Sequence, residues 1–288
     1  MNPILKAALF MTGAIASFSA MAVAGREVSF ALDTFEIMLF RSVVGVLIVC
    51  SVAAFTGTWR QIRTDALHIH GIRNLAHFTG QNLWFYAVTV IPLAQVFALE
   101  FTSPIWVILL SPLLLGEKIT AARAGAAILG FVGILIVARP GMAGLNPGIV
   151  MAGVSAIFFA LTNIFTKRLT RTQSITCILF YLTVMQLVFG VVMAGYDGDI
   201  AMPDSQTLPW LVLIGCAGLL AHFCITSALS IAPATVVVPI DFIRLPVIAV
   251  IGMLTYNEAV DIWVFVGAAI IFAGNYFNIY TETRKKVN

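Results

Sequence analysis

Charge is what this sequence has least of. Its 16 Lys and Arg and 13 Asp and Glu amount to 10% of 288 residues, against roughly 25% in soluble globular chains. The net charge of +3 is gathered into no dense basic face, which excludes nucleic-acid binding. Cysteine is scarce as well. Cys50, Cys177, Cys216 and Cys224 all fall inside apolar runs, with no CxxC or His-rich spacing around them. They are read as small apolar helix residues rather than metal ligands, and no cofactor is expected. Long polar loops are missing, so no extramembrane catalytic or nucleotide-binding module has room to fold.

What the chain has instead is apolar length. Hydrophobic residues make up 60% of it, and the mean hydropathy is +1.01. The runs approach the roughly 20 residues that cross a bilayer's hydrocarbon core. Inside lipid each segment must satisfy its own backbone hydrogen bonds, which here means helices. The expected fold is therefore an all-α integral membrane protein with ten transmembrane helices. They lie near 4–24, 34–56, 68–90, 92–115, 121–139, 147–166, 174–195, 207–229, 231–256 and 260–281. The segment ending Ala22-Val23-Ala24 resembles a cleavable signal. It is kept as the first helix because the repeat below requires it.

The positive-inside rule sets the orientation. With a cytoplasmic N-terminus, inside segments hold Lys6, Arg60, Arg63, Arg73, Lys118, Arg123, Lys167, Arg168, Arg171, Arg284, Lys285 and Lys286. Outside loops hold only Arg26 and Arg139, together with acids such as Glu27, Asp33 and Glu258. Both termini are expected in the cytoplasm.

Sliding the chain by 140 or 141 residues aligns Gly13 with Gly153, Pro92 with Pro233, Glu100-Phe101 with Asp241-Phe242, Glu117 with Glu258 and Gly133 with Gly274. Prolines and acids are rare enough here for such matches to mean something. A further echo, Leu75-Ala76-His77-Phe78 against Leu220-Ala221-His222-Phe223, stands four residues out of step. Two five-helix halves result, 1–140 and 141–288. Five is odd, so the second half is inverted, an arrangement frequent in secondary transporters that bind solute near the midplane.

Phe40-Arg41, the run Glu100-Phe101-Thr102-Ser103-Pro104-Ile105-Trp106, its ending Leu115-Gly116-Glu117-Lys118, and the weaker second ending Tyr256-Asn257-Glu258 carry a resemblance. With the two halves, they make the chain resemble the drug/metabolite transporter superfamily, and within it the ten-helix branch of small-metabolite exporters. The second half departs from the pattern with Tyr181 where the first has Arg41. The resemblance implies export of amino acids or similar small metabolites across a bacterial inner membrane. It implies a cavity enclosed by spans 1–4 and 6–9, with spans 5 and 10 peripheral.

Ionisable groups at depth suggest function by default. Arg41 and Glu100 lie at similar depth and are placed to pair between spans 2 and 4. Asp241 and Arg244, three apart, share a helix face. These four residues are read either as structural ion pairs or, for Glu100 and Asp241, as contacts to a substrate amine or a proton. In the third span Asn74, His77, Gln81, Trp84 and Phe85 fall on one face, read as a cavity wall or a packing network. The candidate substrate-binding set is His77, Gln81, Trp84, Glu100, Phe101, Asn163 and Asp241. Pro92, Pro104 and Pro112 mark span 4, and Pro233, Pro239 and Pro246 mark span 9, as places for kinks. Gly130 and Gly133 are left open between internal packing and contact with a neighbour.

The expected partners are a small-molecule substrate and the lipid bilayer, with proton coupling undecided. No enzymatic activity is expected, because no paired metal ligands, activated serine or dual carboxylates share a depth. The alternative function is export of lipophilic cations, which would want an unpaired acid in an aromatic cage.

Overall fold

The computed structural model describes residues 3–116, 120–139, 146–231 and 240–287. Glu117, Lys118, Pro233 and Pro239 lie outside them. The described residues are helical and connected by short turns. In chain order the helices are α1 (Pro3–Val28), α2 (Thr34–Phe55), α3 (Leu67–Val90), α4 (Leu93–Glu100), α5 (Ser103–Leu115), α6 (Ala121–Ala138), α7 (Pro147–Leu169), α8 (Ile175–Ala194), α9 (Leu208–Ile231), α10 (Arg244–Tyr256) and α11 (Ile262–Val287).

Six segments among the described residues are long and apolar enough to cross a membrane: Leu5–Val28, Thr34–Phe55, Leu93–Leu114, Pro147–Leu169, Ile175–Ala194 and Leu208–Ile225. Arg123–Ala138, Arg244–Tyr256 and Ile262–Asn278 are apolar but shorter. The 24-residue α3 is absent from both sets. It buries His70, Arg73, Asn74, His77, Gln81 and Asn82 among its apolar residues, which lowers its hydropathy without exposing it.

Local chemistry fixes the helix starts. Asp33 caps α2 in a reciprocal capping box with Glu36. Thr120, Asn146 and Ser174 cap α6, α7 and α8 through side-chain oxygens. The fourth span breaks at residues 101–102, between α4 and α5. Pro104 has no N–H to donate, and its ring crowds the carbonyl of Glu100, so the helix must restart. A turn at residues 242–243, 141 residues further on, separates the helical residues 240–241 from α10, and Pro246 sits in the first turn of α10. The first break leaves a free carbonyl at Phe101, which Asn275 of α11 satisfies through Nδ2 at 3.1 Å.

Packing follows the same offset. The most extensive interfaces join α1 to α9, α6 to α11, α3 to α7 and α2 to α8. A shift by one half carries α1 onto α7 and α3 onto α9, so the first and third of these interfaces are counterparts. Where α6 crosses α11, a Cβ on Gly133 would lie 2.7 Å from the Gly267 carbonyl oxygen, and one on Gly267 2.8 Å from that of Gly133. The counterpart contact holds too, with a Cβ on Gly274 meeting the Ala126 oxygen at 3.0 Å. A Cβ on Gly130 would strike Ile105. These small residues are therefore used for close packing inside the chain.

Candidate functional site

The chemistry collects along one face of α3. Arg73 donates from Nε to Thr166 of α7 at 2.8 Å and from Nη1 to its neighbour Asn74 at 2.7 Å. Asn74 donates to the Tyr181 carbonyl of α8 at 3.0 Å. The His77 ring lies 6.2 Å from Phe159 of α7 and 6.1 Å from His222 of α9. Gln81 accepts from Arg41 of α2 through Oε1. Trp84 donates from Nε1 to Glu100 of α4 at 2.8 Å. One helix face thus reaches five other helices, which places it at the centre of the bundle. His77 and His222, the two histidines of the Leu-Ala-His-Phe echo, meet across that centre.

His77 is buried, and neither ring nitrogen finds a hydrogen-bond partner among the described residues. A buried polar group left in that state costs about 1–3 kcal/mol. Gln186 of α8 is in the same condition at Nε2. Such groups are tolerated where a polar solute or water engages them.

The second constellation surrounds Arg244 at the start of α10. Its Nη2 donates to Glu100 and to Asp241, each at 3.2 Å. The guanidinium carbon lies 4.7–4.9 Å from the ring centroids of Phe18, Phe97 and Phe101, within cation–π range. Phe101 stacks on Phe242 with centroids 4.3 Å apart. Those two residues follow the matched acids Glu100 and Asp241, so equivalent residues of the two repeats face each other.

Most of the candidate residues come together, though in different pairs. The structure does not make the Arg41–Glu100 pair anticipated from depth. Glu100 is engaged by Arg244, and Arg41 reaches Gln81 instead. The physical reason lies in the break after Glu100, which brings the restarted helix and its arginine alongside the acid. His77, Gln81, Trp84, Glu100, Phe101 and Asp241 all belong to the connected interior. Asn163 does not, because it is exposed on α7.

Two interior residues went unanticipated. Arg73, counted above as a cytoplasmic charge, is buried. Its spacing of four from His77 continues the polar stripe back by one turn and could have revealed it. Gln186 sits alone in an apolar run, with no partner in sequence to mark it.

One end of the bundle is cross-tied. Arg26, in the last turn of α1, donates to the Val88 and Ile91 carbonyls at 2.6 and 2.7 Å and pairs with Glu258. Glu258 also accepts from the Leu93 amide at 2.9 Å, and Tyr256 donates to Glu27 at 2.8 Å. Arg139 pairs with Asp261, three residues after Glu258. At another connection Gln173 donates to Asp65 at 3.1 Å. That bond, with Arg63 alongside, holds the Asp65 carboxyl below the usual carboxylate range. Among the described residues no group of three or more His, Cys, Asp or Glu side chains is arranged to hold a metal.

Comparison with known proteins gives a consistent picture. Residues 5–139 and 146–280 each match the EamA-like transporter family model. A Rickettsia conorii protein named S-adenosylmethionine uptake transporter is 26% identical over 288 residues, covering 99% of this chain and 97% of its own. A Brucella anthropi riboflavin transporter is 31% identical over 84% of this chain and 86% of its own. A Vibrio cholerae riboflavin transporter is 29% identical over 90% and 87%. One solved crystal structure shares the fold at a TM-score of 0.64 and 18% identity, covering 94% of this chain and 96% of that one.

Proposed function

The chain belongs to the EamA-like transporter family and is an integral membrane protein; from that premise we propose that it is a secondary transporter for amino acids or similar small metabolites. It moves them outward across a bacterial inner membrane by alternating access of two inverted halves, residues 1–140 and 141–288. Ten spans with both termini in the cytoplasm complete the arrangement. The observation that carries this reading is the buried polar face of α3, with both His77 nitrogens unengaged among the described residues, set beside two turns at matched positions, 101–102 and 242–243. Such turns let a gate bend without unfolding the bundle, and they lie next to the charged groups that meet solute.

The amino-acid class is favoured by the separation of charge. Arg41 supplies a cation on one side of Trp84. Glu100 and Asp241, against the single Arg244, supply a surplus of acid on the other. A zwitterion matches both poles, and S-adenosylmethionine, which names one relative, is itself an α-amino acid. Riboflavin is neutral and uses neither pole. The cage wanted by a lipophilic cation is occupied by Arg244. A secondary transporter runs in the direction its gradients dictate, so relatives named for uptake and an exporter can share one fold.

Flux through purified protein in liposomes tests the reading. The panel holds labelled amino acids, S-adenosylmethionine, riboflavin and a lipophilic cation, with and without an imposed pH gradient. Saturable movement of amino acids supports the proposal. Movement of the cation alone, or no movement at all, overturns it.

A further inference from the structure

We propose that the pocket beside Arg41 is a carboxylate-binding subsite in which Arg41 and Gln186 select solutes carrying one negative charge. The inference deepens the transporter reading and rests on it.

Arg41 is 8% exposed. Its Nη1 donates to Gln81 and to the Met38 sulfur, the latter at 3.7 Å, and both partners are neutral. Among the described residues no carboxylate lies within ion-pair distance of this guanidinium. The interior acids are taken, Glu100 and Asp241 by Arg244 and Glu258 by Arg26. A buried cation without a counter-ion is among the costliest features a membrane interior can hold, and it persists where something else supplies the charge.

The surroundings are shaped to receive that charge. A small pocket of about 20 Å³ opens between α2, α8 and α9, walled by Arg41, Ser42, Thr183, Gln186, Gly215 and His222. Among the described residues no acid lines it. Gln186 is 3% exposed, and its Nε2 has no acceptor among them. The Nε and Nη2 edge of Arg41 lies over Gly218, where a Cβ would sit 3.3 and 2.9 Å from those atoms. That is the forked edge a carboxylate grips through two parallel bonds, and any side chain at 218 would crowd it. Gln186, which carries a third donor, lines the same pocket.

Charge balance chooses the class of anion. The wall supplies one full positive charge from Arg41, which neutralises a carboxylate. A phosphate dianion would leave a negative charge uncompensated inside the membrane. Geometry links the subsite to the acid cluster. Gln81, which holds Arg41, and Trp84, which holds Glu100, are three residues apart on α3. That is a rise of about 4.5 Å, so the two poles occupy adjoining levels of the bundle.

Binding to the purified full chain tests the inference, read by ligand-induced thermal stabilisation. The probes are L-amino acids and their carboxamides, propanoate, propanamide and inorganic phosphate. The acids are expected to bind about 10- to 100-fold more tightly than their amides, the range for charge-assisted hydrogen bonds. Arg41→Gln removes that preference and Arg41→Lys keeps part of it. Gly218→Ala, whose Cβ displaces the guanidinium, weakens it while keeping the Arg41 charge. Amides that bind as well as acids, phosphate tighter than propanoate, an unchanged preference in a folded Arg41→Gln protein, or no binding of any carboxylate would each overturn the subsite. Flux separates the two readings. Solutes that cross the liposome membrane without preference for acids leave the transporter and remove the subsite. Carboxylates that bind through Arg41 without any flux leave the subsite and remove the transporter.

Discussion

Replacing Arg244 by Gln separates what holds the two repeats together from what the solute needs. Arg244 is 4% exposed at its side chain, while Glu100 and Asp241 are 18% and 20% exposed. Removing one partner of a buried ion pair costs about 3–5 kcal/mol, because the remaining charge is stranded. Partial access of solvent to both carboxylates argues for the lower end, about 3 kcal/mol. Loss of three ring faces around the guanidinium adds roughly 1 kcal/mol or more. The expected loss is therefore about 4 kcal/mol, measured by SDS titration in mixed micelles with helicity as the readout. A triple variant, Arg244→Gln with Glu100→Gln and Asp241→Asn, strands no charge and recovers most of the loss. A single variant that loses under about 1 kcal/mol, or a triple variant as unstable as the single, would refute the reasoning.

Gly133→Ala forces α6 and α11 apart, because the new Cβ would meet the Gly267 carbonyl oxygen at 2.7 Å. A loss of about 1–3 kcal/mol is expected in the same SDS titration. Glu258→Gln removes the counter-charge from Arg26 and weakens the tie to Leu93. A cysteine introduced at the buried Ile91 should then react with a membrane-impermeant maleimide several-fold faster, and equal rates would show that the tie does not close that end. Glu100→Gln preserves an acceptor for Trp84 while removing charge. It is expected to fold and to lose at least about tenfold in amino-acid flux, the worth of one charge-assisted contact; flux at the unchanged rate would remove Glu100 from the solute's path.

The membrane class, the helical architecture and the duplicated pattern were legible in the sequence, because lipid forces apolar length and the rare prolines and acids mark the repeat. Pro104 and Pro246 pointed to the two turns. The three-and-four spacing of Asn74, His77, Gln81 and Trp84 marked the central face of α3. The charge pairing was not legible. Similar depth made Arg41 and Glu100 look like partners, yet depth says nothing about which way helices rotate. The break after Glu100 turns the acid to Arg244 and leaves Arg41 to Gln81. Gln186 was invisible for a related reason, since one polar residue in an apolar helix shows no periodicity. Asn163 carried the right chemistry on the wrong face of its helix. The glycines of α6 could have served either a neighbour or the chain itself, and the close approach of Gly133 to Gly267 assigns them to the chain.

Counterflow in proteoliposomes tests alternating access most directly. Vesicles preloaded with an unlabelled amino acid are diluted into a trace of the same amino acid carrying label. If the two halves exchange roles around one site, label accumulates transiently above its equilibrium level, driven by exit of the preloaded solute. A monotonic approach to equilibrium at the same rate with or without preloading would describe a pore, and would contradict transport by alternating access.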